Sequence, residues 1–98
     1  LSTFRHVVVR GRVQGIGYRA WTERVALSHG LKGWVRNRRD GSVEAVFIGE
    51  DDAVEAMVEA CRTGPAAALV EAVDHRDASP AEVRLRRGDE LFSVLGTA

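Results

Sequence analysis

The stretch R10-G-R-V-Q-G-I-G-Y-R19 decides the architecture of this 98-residue chain, because three kinds of structure meet within it. It begins as the end of an alternating strand in which Val7, Val9, Gly11 and Val13 fall at every second position. It passes through a short run carrying Gly15 and Gly17 and ends at Arg19, where helical spacing takes over. A strand, a glycine-bearing turn and a helix N-terminus together suit an anion. Successive backbone N–H groups converge there, the helix dipole adds partial positive charge, and glycine permits the backbone angles required. Arg19 contributes a planar fork of donors matched to phosphate or carboxylate. The same spacing also fits an ordinary tight strand-to-helix turn with a solvated arginine in its first turn. Gly15-x-Gly17 is too short for a dinucleotide fingerprint and lacks the Lys-Ser/Thr of a nucleotide loop.

Outward from this stretch the elements follow in order. Phe4–Val13 is predicted as a strand, and Val8 among its alternating neighbours suggests burial on both sides near the sheet centre. Residues 18–29 form a helix through Tyr18, Trp21, Val25 and Ala26, with Gly30 as its stop. Leu31–Arg38 and Val43–Gly49 are strands joined through Asp40-Gly41, a strong hairpin signal. Asp52, three residues before Glu55, resembles a capping box for a second helix whose core stripe is Val54, Met57, Val58 and Cys61. Thr63-Gly64-Pro65 ends that helix. Ala68–Asp74 reads as a strand, residues 75–90 as a charged loop, and Leu91–Leu95 as a short last strand. Two βαβ halves of this length imply a ferredoxin-like α+β sandwich, βαββαβ, with an antiparallel sheet, both helices on one face and the short strand added. That plan serves enzymes, RNA-binding modules and sensors alike, so it decides nothing about function.

Length and composition set the bounds. Residues 1–98 suffice for one domain with a two-layer core. No apolar run approaches a membrane span and no leader pattern opens the chain. Cys61 is the single cysteine, which excludes an intramolecular disulfide and a thiolate cluster, fits a cytoplasmic location, and sits on a core stripe as an inert thiol. His6, His29 and His75 show no ligand spacing, so no metal is expected. Net charge is zero, yet residues 1–39 hold nine Arg/Lys against Glu23 alone, leaving the remainder acidic. Such a split either surrounds the first segment with a positive field or is cancelled by pairing between the halves.

Two segments then make the functional reading specific. V-R-G-R-V-Q-G-I-G-Y-R at 9–19, followed by G-W-V-R-N-R-R-D-G-S-V-E at 33–44 and Gly49, closely resembles the acylphosphatase family, and the element order agrees over essentially the whole chain. The resemblance implies hydrolysis of the carboxyl-phosphate bond of acyl phosphates without metal, cofactor or phosphoenzyme. It assigns Arg19 and Asn37 as the catalytic pair and Gln14, Gly15, Ile16, Gly17 and Tyr18, with Arg19, as the phosphate-binding loop. It also implies a free-standing monomer that takes a small acyl phosphate, with phosphate or a similar anion in the loop, and neither nucleic acid nor membrane as partner. Ile16 stands where valine is commoner, and Ala66-Ala67-Ala68, His29 and Gly96-Thr97 depart from the family pattern outside the signatures. The alternative is a non-catalytic anion- or RNA-binding module on the same fold. The strands lack the aromatic pattern on which RNA-recognition modules stack bases.

Overall fold

Alternation along the first strand decides which way each side chain faces. In the computed structural model, which describes residues 1–98, that strand is β1 (Ser2–Arg12). It is followed by α1 (Tyr18–Ser28), β2 (Lys32–Asn37), β3 (Val43–Glu50), α2 (Asp51–Cys61), β4 (Leu69–Asp77), α3 (Pro80–Val83) and β5 (Phe92–Val94). The strands form one sheet in the order β4-β1-β3-β2-β5. Val7 and Val9 face the helices with Val35, Val43, Ala45 and Phe47, and close one core with Tyr18 and Ala26 of α1 and Val54, Met57 and Cys61 of α2. The expected ferredoxin-like arrangement is therefore present, with both long helices on one face. One departure is that β5 runs parallel to β2, in the register Val35 to Val94.

The reason lies on the opposite face. His6 and Val8 are buried there, as β1's lack of strict polar alternation suggested. Trp34 and Val46 on that face are fully buried as well. What covers them is the segment read from sequence as a charged loop. Its first residues extend β4 to Asp77, and Pro80–Val83 form the short helix α3. Ser79 caps α3 by accepting from the Glu82 N–H, and the Glu82 carboxylate accepts in return from the Ser79 N–H. The Trp34 indole N–H donates to the Glu82 carbonyl at 2.7 Å, so α3 is pinned to the sheet through the largest buried side chain. Crossing this face carries the chain from one sheet edge to the other and delivers β5 parallel to β2.

The capping box expected at Asp52 and Glu55 does not form. Glu50 is the N-cap of α2, without a side-chain cap bond, and Asp51 and Asp52 are the acids of its first turn. Asp51 instead accepts from the Thr3 hydroxyl of β1, and the helix starts two residues earlier than the sequence pattern indicates. α1 ends at Ser28, with His29 as its C-cap residue and Gly30 at φ +71°. Cys61 is buried, and burial pushes its thiol up to about 12.

The pairing of the chain's two charge domains is partial. Arg5 meets Asp77, Arg10 meets Asp74, and Arg36 meets Glu44. Around α3 the ion pairs form a small network: Arg76 holds Glu82 in a two-point contact at 2.7 and 2.8 Å, and His6 lies 2.7 Å from Glu44. The Arg76 hydrogen bonds lower the Glu82 carboxyl from 4.5 to about 2, outweighing desolvation. A carboxyl depressed by folding stabilises the fold above its ordinary value and loses that contribution as pH falls toward the depressed one. Stability is therefore expected to decline between pH 4.5 and about 2 as Glu82 is protonated. Glu82→Gln should cost about 1–2 kcal/mol at pH 7 and flatten that decline, read by urea unfolding at each pH with tryptophan fluorescence.

Candidate active site

The turn between β1 and α1 is built by burying both of its ends. Val13 enters the core on one side and Tyr18 on the other, leaving residues 14–17 as a short arch over the sheet edge. Gly15 and Gly17 adopt φ +76° and +83°, a left-handed conformation costly for other residues. Gly17 is the N-cap of α1 and offers no side chain to satisfy the helix end. The backbone N–H groups of residues 14–20 consequently donate to no protein acceptor, and the first turn contains no acid. Arg19 stands in this turn, half-buried and without an ion-pair partner. A cation at a helix N-terminus opposes the dipole. The chain thus concentrates unsatisfied donors and positive charge at one point, an arrangement that favours an anion.

Tyr18 fixes where that point lies. Its hydroxyl donates to the Cys61 carbonyl at 2.7 Å, tying the start of α1 to the end of α2, and burial raises its pKa. A side chain at Gly64 would lie 2.6 Å from the Tyr18 ring, so the turn after α2 must bring bare backbone against it. Trp21 packs on the same ring with centroids 5.3 Å apart. Of the predicted loop residues, Tyr18 and half-buried Ile16 therefore direct their side chains to packing, and what they present to an anion is main chain.

Gln14 joins the loop to the second signature. Both its side-chain N–H groups are committed, to the Arg38 carbonyl at 2.7 Å and the Ser42 carbonyl at 2.8 Å. These flank the β2–β3 hairpin, where Asp40 accepts from the Ser42 N–H and hydroxyl. Asn37, the last residue of β2, shares the helix-side face with Val35, and the Ala98 N–H donates to its carbonyl. Strand parity thus turns Asn37 toward α1, whereas Arg36 lies on the opposite face with Glu44 and over the Trp34 ring at 4.9 Å.

The result is an open cavity of about 380 Å³ into which Gly15, Gly17, Arg19 and Asn37 all face, floored by Val13. The two arms of the predicted site, Arg19 and Asn37 being eighteen residues apart in sequence, meet in one cavity. A larger groove of about 460 Å³ lies between α2 and β1. Within it Thr3 pairs with Asp51 and Arg62 with Glu59, and the first turn of α2 that borders it carries the acids Asp51 and Asp52, which disfavour an anion there.

A second cluster is invisible to sequence spacing. His6, Glu44 and Glu82 bring potential ligand atoms within 4.8 Å on the α3-covered face. Arg36 and Arg76 already neutralise the two carboxylates, so the cluster is closed by its own ion pairs. The signal that could have revealed it is the S79-P-A-E82 capping box, which places Glu82 on a helix docked against β1.

Comparison with known proteins agrees with the geometry. The family model described as acylphosphatase matches residues 5–88. The chain is 53% identical over 96 residues to an acylphosphatase of Rhodopseudomonas palustris strain BisB5, covering 98% of this chain and 97% of that one. Against an acylphosphatase of Bradyrhizobium diazoefficiens it is 56% identical over 91 residues, covering 93% and 92%. The solved acylphosphatase of Coxiella burnetii superposes with a TM-score of 0.83 at 32% identity, over 96% of this chain and 93% of that one.

The Gln14 contacts make a test independent of any ligand. Gln14→Leu removes both hydrogen bonds between loop and hairpin, and is expected to lower stability by about 1–2 kcal/mol. The check is a drop in urea midpoint with an unchanged m-value.

Proposed function

The chain belongs to the acylphosphatase family and hydrolyses acyl phosphates to a carboxylate and inorganic phosphate, and from that premise we propose how its own residues divide the work. The observation that carries the proposal is the convergence of Arg19, the unpaired amides of the 14–19 loop and the Asn37 carboxamide on one cavity. An acyl phosphate has a good leaving group, so the protein's task is mainly to position water and stabilise charge on the phosphoryl oxygens. In this reading the phosphoryl group sits on the loop amides of Gln14 to Arg19. The Arg19 guanidinium holds its oxygens, and the dipole of α1 adds to the same potential. These donors are already oriented in the protein and need no rearrangement as charge shifts during bond breaking.

Asn37 lines the cavity from the sheet side, across from α1, and its carboxamide both donates and accepts hydrogen bonds. It orients the attacking water. An amide does not ionise, so it cannot take the proton. No carboxylate or imidazole stands in the two signature arms, and Glu23, the one carboxylate lining the cavity, lies a turn beyond Arg19 along α1; in this reading a phosphoryl oxygen of the substrate receives the proton as water adds and the carboxylate departs. Residues 1–98 then act as one catalytic unit, a cytoplasmic monomer whose loop also accepts inorganic phosphate.

The RNA-binding alternative fails on a specific feature. Base stacking on this fold needs an open sheet face, and here the face opposite the long helices is covered, with Trp34 and Val46 fully buried.

Turnover of benzoyl phosphate in the presence of EDTA tests the assignment. Arg19→Ala and Asn37→Ala are each expected to lower kcat/KM by about 10²–10³ with the circular dichroism spectrum unchanged. Because Arg19 opposes the dipole, Arg19→Gln should also unfold no earlier in urea than the parent protein. Retention of full activity by either alanine variant would remove that residue from the mechanism.

A further inference from the structure

Glu23 is the only acidic residue before Asp40, and it lines the same cavity as Arg19 and Asn37. It lies four residues after Arg19 on α1, one turn further from the loop and on the same face of the helix. Its carboxylate is half-buried and forms neither an ion pair nor a hydrogen bond, Arg19 included, although the i, i+4 spacing would permit one. Ala20 and Val94, both apolar, line the cavity as well.

The cavity therefore has two unlike ends. At the loop end are the free amides and Arg19. One turn further along α1 is one uncompensated negative charge, and Ala20 and Val94 add aliphatic wall. With the phosphoryl group on the loop, as proposed above, the acyl group has the far end left to occupy. Ala20 and Val94 would accept almost any carbon skeleton, so shape selects little there. Charge is different, because Glu23 is the only ionised group available to sense the acyl portion.

We propose that Glu23 is a specificity-determining residue that discriminates against acyl phosphates bearing a second negative charge on the acyl group, and favours neutral or cationic ones. The inference rests on the phosphate assignment above. At separations of about 5–6 Å, with screening between that of bulk water and that of a protein surface, a unit charge on the acyl group is worth on the order of tenfold in relative kcat/KM. The discrimination should weaken as salt screens it.

The test uses three substrates that differ only in the para substituent, benzoyl, 4-carboxybenzoyl and 4-trimethylammoniobenzoyl phosphate, with uncatalysed hydrolysis subtracted. Each substituent also alters the leaving group, so the quantity to read is the change in a substrate ratio between variants, where that intrinsic effect cancels. Glu23→Gln is expected to raise the 4-carboxybenzoyl to benzoyl ratio of kcat/KM by roughly tenfold and lower the trimethylammonio ratio, and Glu23→Lys to move both further. Arg24→Gln, an exposed charge change next door, should leave both ratios in place. Ratios that do not move in Glu23→Gln, or that move equally in Arg24→Gln, would overturn the proposal. Arg19→Ala assayed alongside separates the two levels: if it retains activity the phosphate assignment fails, whereas if it loses activity while the Glu23 ratios stay fixed, only the specificity role fails.

Discussion

The hydrogen bond from the Tyr18 hydroxyl to the Cys61 carbonyl is the constraint on which the site depends. A helix whose N-cap is glycine has no side chain to fix its first turn, and left to itself that turn would fray. Burying Tyr18 against the end of α2 fixes it from behind. The ring fills the space that a side chain at Gly64 would need, so the turn after one helix and the start of the other are fitted as a pair. With Val13 sunk into the core on the far side, the four residues between have little freedom, and their amides stay turned outward without any local cap.

Most of this architecture could be read from the chain itself. Period-two and helical spacing gave the strands and the two long helices to within one or two residues, except the end of β4, which runs three residues further to Asp77, because the core is built from regular alternation. The second signature located Asn37 on the strand end, where parity turns it toward α1. What pattern could not supply was the role of Gln14, whose side chain is spent on two carbonyls across the hairpin. Only the folded approach of the loop to residues 38–42 shows that this side chain braces the hairpin. Glu23 is a similar case: its four-residue spacing from Arg19 invites an ion pair, and the structure leaves it facing the cavity.

The capping-box rule shows both how such reasoning works and how it misleads. At Asp52 and Glu55 the motif is present in sequence, but Asp51 bonds to Thr3 and the helix begins earlier, so a tertiary contact overrides the local signal. At Ser79 and Glu82 the same motif is real, inside a segment whose charge suggests solvent. Charge misled there because the charged groups are consumed in pairs: Arg76 with Glu82, Arg36 with Glu44 and His6 between them. Beneath them Trp34 and Val46 gain a cover that no hydrophobic pattern announces.

The unpaired amides of residues 14–20 are main-chain groups, and this shapes how the site responds to sequence change. No substitution other than proline deletes a backbone N–H. The amides themselves therefore leave almost no mutational footprint of their own. Side-chain scanning reaches these donors only indirectly, through Gly15 and Gly17, which set the backbone angles, and through Gln14 and Tyr18, which brace the loop, while Ile16 is free to drift among aliphatic residues of similar bulk. Replacing individual amides by esters through chemical synthesis is the perturbation that reaches these donors one at a time.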